Sequence, residues 1–79
     1  SIADPIHGIA AENKRLISGY LRGLANEAGA ADSERLAAQL MLLLDGAIVG
    51  AQISKNTAIA DGARDAARVL IDAALQPPE

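Results

Sequence analysis

The segment LMLLLDGAIVGAQ, residues 40–52, most constrains the fold, because it is almost continuously apolar yet contains Asp45 and two glycines. A membrane-spanning helix needs about 20 mostly apolar residues and tolerates a charge at its centre poorly. The longer run over residues 36–53 is also interrupted by Gln39 and Gln52, and no aromatic belt flanks it. We therefore expect no membrane span and predict a helix that packs within protein.

Plotted at 100° per residue, the apolar side chains of this helix occupy two faces. The first face comprises Leu36, Leu40, Leu43, Leu44, Ala47, Ile48 and Ala51, and the second comprises Ala38, Leu42, Val49 and Ile53. Gly46 and Gly50 lie between the faces, where they would let another helix approach closely. Asp45 falls on a narrow polar edge, within reach of water or a neighbouring helix terminus. A helix that is apolar on two sides must be covered on two sides. The two other helices can cover one of these faces. We therefore predict that the second face is covered by missing parts of the same protein or by another copy.

The composition favours one small all-α domain. The 79 residues are rich in alanine and leucine, which favour helix, and Tyr20 is the only aromatic residue. A chain this short buries only about 60% of its unfolded surface. It has no cysteine and too few histidines for a structural zinc site. The net charge is −3 with acids and bases interspersed, so this chain alone is not expected to bind nucleic acid. We predict no cofactor.

Local signals predict three helices, near Pro5–Ala28, Ser33–Ser54 and Thr57–Leu75, joined by short linkers that favour antiparallel neighbours. Capping and stop signals stand at the predicted ends: Asp4 and Pro5, Gly29, Asp32 or Ser33, Asn56 or Thr57, and Pro77 with Pro78. The N-terminus carries neither an initiator methionine nor a signal peptide, which leads us to expect a processed chain or a fragment.

The third helix divides into a polar strip and a broad alanine-rich apolar arc that permits close approach of another helix. In the strip, Asp65–Arg68 and Arg68–Asp72 have the spacing of surface ion pairs. We interpret these charges as a solvated face.

Residues 36–52, LAAQLMLLLDGAIVGAQ, resemble the penultimate helix of TetR-family transcriptional repressors. Residues 61–75, DGARDAARVLIDAAL, look like the alanine-rich last helix, and DPIHGIAAENKRLISGYLRGLANEAG, residues 4–29, is similar to the helix before both. The resemblance implies that residues 1–79 are part of a cytoplasmic regulatory domain that binds a small-molecule effector. It further implies homodimerisation through a four-helix bundle built from the last two helices. No helix-turn-helix segment and no further pocket-enclosing helices occur in the sequence, so operator DNA would be bound only through a missing N-terminal domain.

Two sets of candidate residues follow. The ligand-binding candidates are Asn13, Tyr20, Leu44 and Ile48. Asn13 projects into the apolar face of the first helix, where it either addresses a ligand or joins two helices, and Tyr20 either stacks on an effector or is a core tyrosine. The candidate dimer-interface residues are Leu42, Leu43, Gly46, Val49, Gly50, Ile53, Ala67, Leu70, Ile71 and Ala74.

The sequence does not indicate an enzyme. His7 has no serine and carboxylate arranged with it as a catalytic triad requires, the acids are scattered, and no phosphate-binding glycine loop is present. The alternative to a repressor domain is a stand-alone helical protein–protein interaction module, and a third possibility is a three-helix bundle without a ligand.

Overall fold

The computed structural model describes residues 5–76, which form three helices and no strand. They are α1 (Pro5–Glu27), α2 (Ser33–Ser54) and α3 (Ala58–Leu75). The predicted all-α class is confirmed, and each helix end agrees with the prediction to within one residue. The predicted cap at Asp4 and the stop at Pro77 and Pro78 lie outside the described residues.

The turn between α1 and α2 is built from the residues that the sequence singled out. Gly29 adopts a left-handed conformation with φ 93°, which ends α1 as glycine commonly does. The Asp32 carboxylate accepts a hydrogen bond from the Arg35 backbone N–H at 3.1 Å and so caps the start of α2. The chain can therefore reverse within a few residues.

The turn between α2 and α3 uses a less expected residue. Lys55 takes the left-handed conformation, with φ 55°, and its N–H donates to the Ala51 carbonyl at 2.8 Å. Of the two predicted caps, the side chain of Asn56 accepts from the Ala58 N–H, whereas Thr57 makes no side-chain cap. A residue with a Cβ thus occupies a position where glycine is favoured.

The three helices lie side by side in one layer with α2 in the middle. In the described part of the chain, α2 packs on both α1 and α3, and the backbones of α1 and α3 do not meet. The molecule measures 50 × 30 × 15 Å, and its radius of gyration of 14.7 Å exceeds the roughly 12 Å of a compact chain of this length. The layer is therefore open above and below α2.

The core is correspondingly small. Among the described residues, the buried hydrophobic side chains are Ala25, Leu36 and Ala37. The chain exposes 6089 Å², whereas a compact globular protein of 8.1 kDa exposes about 4,500 Å². The prediction that three helices cannot enclose the middle one agrees with this exposed surface.

Two local predictions were wrong. Asn13 lies on the apolar stripe of α1 that includes Leu16 and Tyr20, and all three side chains are exposed. No buried amide therefore joins two helices there. On α3, Arg64 rather than Arg68 forms the ion pairs of the described residues, with Asp61 and Asp65 at 3.9 Å each. All three side chains are exposed, which agrees with the prediction of a solvated face.

Candidate functional site

One side of the layer is an apolar groove, with α2 as its floor and α1 and α3 as its walls. It consists of two adjoining clefts of about 210 and 390 Å³ that share Leu21 and Leu40. The groove is lined by Leu21, Leu24, Ala25, Ala28, Leu36, Leu40, Leu43, Leu44, Ala47, Ala60, Ala63, Arg64, Ala67, Ile71 and Leu75. Arg64 is the one charged residue in that lining, so the groove fits an apolar occupant.

The predicted ligand-binding residues do not enclose a pocket. Leu44 alone among them lines the groove, and Ile48 lies one helical turn after it on α2. Tyr20 belongs to the open stripe of α1 and is 68% exposed, and Asn13 is exposed on the same helix. The structure therefore places two of the four on the floor helix and two on a wall, without bringing all four together.

The opposite side of the layer, which we call the far face, carries an apolar stripe. The stripe is formed by Leu42, Gly46, Val49 and Ile53 of α2, spaced at four, three and four residues, and by Val69 of α3. Beside the stripe, Leu42 also lines a shallow cleft of about 510 Å³ with Lys14, Arg15 and Asp45. Leu42 and Ile53 are 73% and 79% exposed. These values are unusual for large aliphatic side chains, and contiguous exposed apolar surface marks interaction sites.

Val69 is the one member of the far face that the sequence prediction missed. It stands two residues, or about 200° of helix, from both Ala67 and Ile71, which line the groove. Once the residues of α3 that line the groove are known, the helical wheel therefore places Val69 on the opposite side of the layer.

The two central glycines have different surroundings. A Cβ built on Gly50 would lie 3.0 Å from both Cδ1 and Cγ2 of Ile59, so Gly50 is where α3 approaches α2 closely. A Cβ built on Gly46 would meet nothing within 4 Å. Gly50 thus serves packing within the chain, and Gly46 remains open on the far face.

The other predicted interface residues are half-buried along the contact between α2 and α3. Leu43, Ala67 and Ile71 line the groove, whereas Leu70 and Ala74 line a separate cleft of about 370 Å³ with Gln39. Packing between the chain's own helices accounts for much of their burial.

Ion pairs border the contact between α1 and α2. Lys14 Nζ lies 3.1 Å from Asp45 Oδ2, and Arg22 lies 3.7 Å from Glu34. Asp45, the acid in the middle of the apolar segment, therefore pairs with a neighbouring helix side chain. Both pairs are solvent-exposed and contribute roughly 0–1 kcal/mol each. The Lys14–Asp45 pair could not be predicted from the sequence, because it depends on the register between the antiparallel helices α1 and α2.

No cluster of metal-binding or unsatisfied polar side chains is evident in the part of the chain that the structure describes. Over that part, no three His, Asp or Glu side chains are grouped as metal ligands, and no buried side-chain polar atom lacks a hydrogen bond. The side chain of His7 is not among those described. By length and composition alone, α2 could cross a membrane.

Comparison with known proteins gave no relative. No family model, curated protein or solved structure matches the chain.

Proposed function

We propose that this chain is the effector-sensing and homodimerisation portion of a TetR-like, cytoplasmic transcriptional repressor. The observation that supports this proposal is that α1 and α3 cover α2 along two edges only, so that α2 exposes apolar surface on both sides of the layer. Burying such surface is the main favourable term in protein association, at about 25 cal/mol per Å². A protein surface outside this layer would stabilise it.

The two open faces of the layer allow two binding functions in one domain. One face can join two copies, and the other can hold an apolar small molecule between the chain and further helices. Because α2 contributes to both faces, a ligand on one side can favour a particular placement of the partner on the other. In the proposed repressor, that placement sets the spacing of two DNA-binding domains. The net charge of −3 supports assigning the DNA contacts to a separate domain.

A protein partner for α2 is favoured over a membrane by the charges along the layer. Asp45 lies midway along α2 in an ion pair with Lys14 of the adjacent helix, and both side chains are partly exposed. In a bilayer, these groups would lose their water at a cost of several kcal/mol. In an interface between soluble helices, they lie at a hydrated edge.

Sedimentation equilibrium of the chain at tens of micromolar tests the proposal. We expect a homodimer, with circular dichroism showing predominantly helix in the same samples. A folded, helical monomer at these concentrations would contradict it. That result would favour the alternative of a stand-alone module that binds a different helical protein, for which the concave groove is the supporting observation.

A further inference from the structure

We propose that the groove binds an alkyl carboxylate, with the carboxylate at Arg64 and the aliphatic chain along the floor formed by α2. The inference rests on the proposed function, in which one side of the layer holds a small molecule. It goes further because it names the chemical class of that molecule and the residue that binds its charged end.

The groove has the shape of an elongated apolar slot. Its two clefts adjoin at Leu21 and Leu40, and on α2 the lining runs from Leu36 to Ala47, about 16 Å along the helix axis. Cleft volumes of about 210 and 390 Å³ together fall within the range of about 300–1,000 Å³ that is usual for small-molecule sites. An extended alkyl chain fits such a slot, and each methylene group that it buries strengthens binding about fourfold.

The charge of the groove is confined to one end. Arg64 is the one charged residue of the lining and belongs to the larger cleft, whereas the smaller cleft is lined by apolar side chains alone. From Arg64, the lining continues along α3 past Ala67 and Ile71 to Leu75, about 16 Å away along the helix. This asymmetry favours a ligand with one anionic end and one long apolar end.

The Arg64 guanidinium makes no side-chain hydrogen bond to the other described residues. Its Nη2 lies 3.9 Å from Asp61 Oδ1 and its Nε lies 3.9 Å from Asp65 Oδ1, beyond hydrogen-bonding distance. Both acids are exposed, and neither lines the groove. A guanidinium presents its N–H groups as a planar fork that matches the two oxygens of a carboxylate. A ligand carboxylate can therefore accept hydrogen bonds that Asp61 and Asp65 do not.

The far-face cleft fits this ligand less well, although two cations line it. Lys14 lies 3.1 Å from Asp45. Arg15 donates to both carboxylate oxygens of Glu12, with Nη2 2.7 Å from Oε1 and Nε 3.1 Å from Oε2. An incoming carboxylate would have to displace these acids. We therefore assign the anionic ligand to the groove.

A set of ligands tests the chemical class without any substitution. Decanoate, 1-decanol and decyltrimethylammonium share one tail and differ in the charge of the head. In isothermal titration calorimetry below the critical micelle concentrations, we expect decanoate to bind about tenfold more tightly than the alcohol, with the cation weakest. Octanoate lacks two methylene groups and should bind roughly tenfold more weakly than decanoate.

A matched pair of arginine substitutions locates the head of the ligand. Arg64 and Arg68 lie one turn apart on α3 and both are exposed, but Arg68 does not line the groove. We expect Arg64→Gln to weaken decanoate binding about tenfold and to leave 1-decanol binding within a few-fold of wild type. Arg68→Gln removes the same charge outside the groove, so we expect it to change neither affinity.

Methyl NMR shows which side of the layer the tail occupies. Leu21 and Leu40 line the groove, and Leu42 lines the far-face cleft. We expect decanoate to shift the methyl signals of Leu21 and Leu40 and to leave those of Leu42 unchanged. Shifts confined to Leu42 would overturn the assignment to the groove.

The other outcomes are equally distinct. Equal affinities for decanoate and 1-decanol, or equal losses in the two arginine variants, overturn the proposed class. If decanoate does not bind, the proposal fails in favour of a helix from another protein, or of a membrane surface if the chain binds phosphatidylglycerol vesicles instead. A chain that is monomeric in sedimentation equilibrium but binds decanoate through Arg64 contradicts the proposed homodimer and leaves the ligand class standing.

Discussion

The α1–α2 and α2–α3 halves of the layer differ in the turn that joins their helices and in the contact between them. In the α1–α2 half, the turn uses Gly29 in the left-handed conformation, and exposed ion pairs such as Lys14–Asp45 border the helix contact. In the α2–α3 half, Lys55 occupies the left-handed position, and the helices close tightly where Gly50 meets Ile59.

The difference identifies where side-chain volume matters. Much of the apolar stripe of α1, including Leu16 and Tyr20, is exposed. The α2–α3 contact is close at its glycine, and alanines line much of α3 on that side. We therefore expect the α2–α3 half to be sensitive to added volume and the α1–α2 half to tolerate it.

The largest effect is expected from Gly50→Leu. The new side chain would start 3.0 Å from two carbons of the Ile59 side chain, so Ile59 at the start of α3 must shift to admit it. Overpacking of this kind typically costs about 1–3 kcal/mol of unfolding free energy, measurable by urea denaturation at fixed protein concentration. Gly23→Leu on α1 is the matched control, since a Cβ at Gly23 meets nothing within 4 Å. Equal stabilities for the two variants would remove the contrast between the halves.

A smaller effect of opposite sign is expected from Lys55→Gly. The left-handed conformation with φ 55° costs a residue with a Cβ roughly 1–2 kcal/mol, which glycine avoids. Glycine also has more freedom to lose in the unfolded chain, so the net stabilisation should be about 0.5–1 kcal/mol by urea denaturation. Gly29→Ala in the first turn should destabilise, because alanine would there adopt φ 93°. If Lys55→Gly lowers the stability, the two turns do not differ as described.

Helix bounds could be predicted from the sequence because their determinants are local. Gly29 and Asp32 act within one turn of their own positions, and the periodicity of α2 revealed its second apolar face without any knowledge of its neighbours. The finer features depend on how helices cross. Gly46 and Gly50 are indistinguishable in the sequence, and only the approach of Ile59 separates them. The Lys14–Asp45 pair likewise depends on helix register, and the choice of Arg64 over Arg68 depends on rotamers.

The exposure of Asn13 could not be predicted for a related reason. Its place on an apolar stripe indicated burial, but α1 contacts α2 with only part of that stripe. Periodicity shows which residues share a face, and it does not show whether the chain itself supplies a surface to cover that face.

The central claim is that the layer is incomplete alone and is completed by a second copy. A dilution series followed by far-UV circular dichroism, with sedimentation at each concentration, tests it most directly. Because so few side chains are buried within one chain, helix content should fall as dimers dissociate, and the midpoint of the loss should follow the dimerisation constant. Helix content that stays constant while the chain becomes monomeric would contradict the claim.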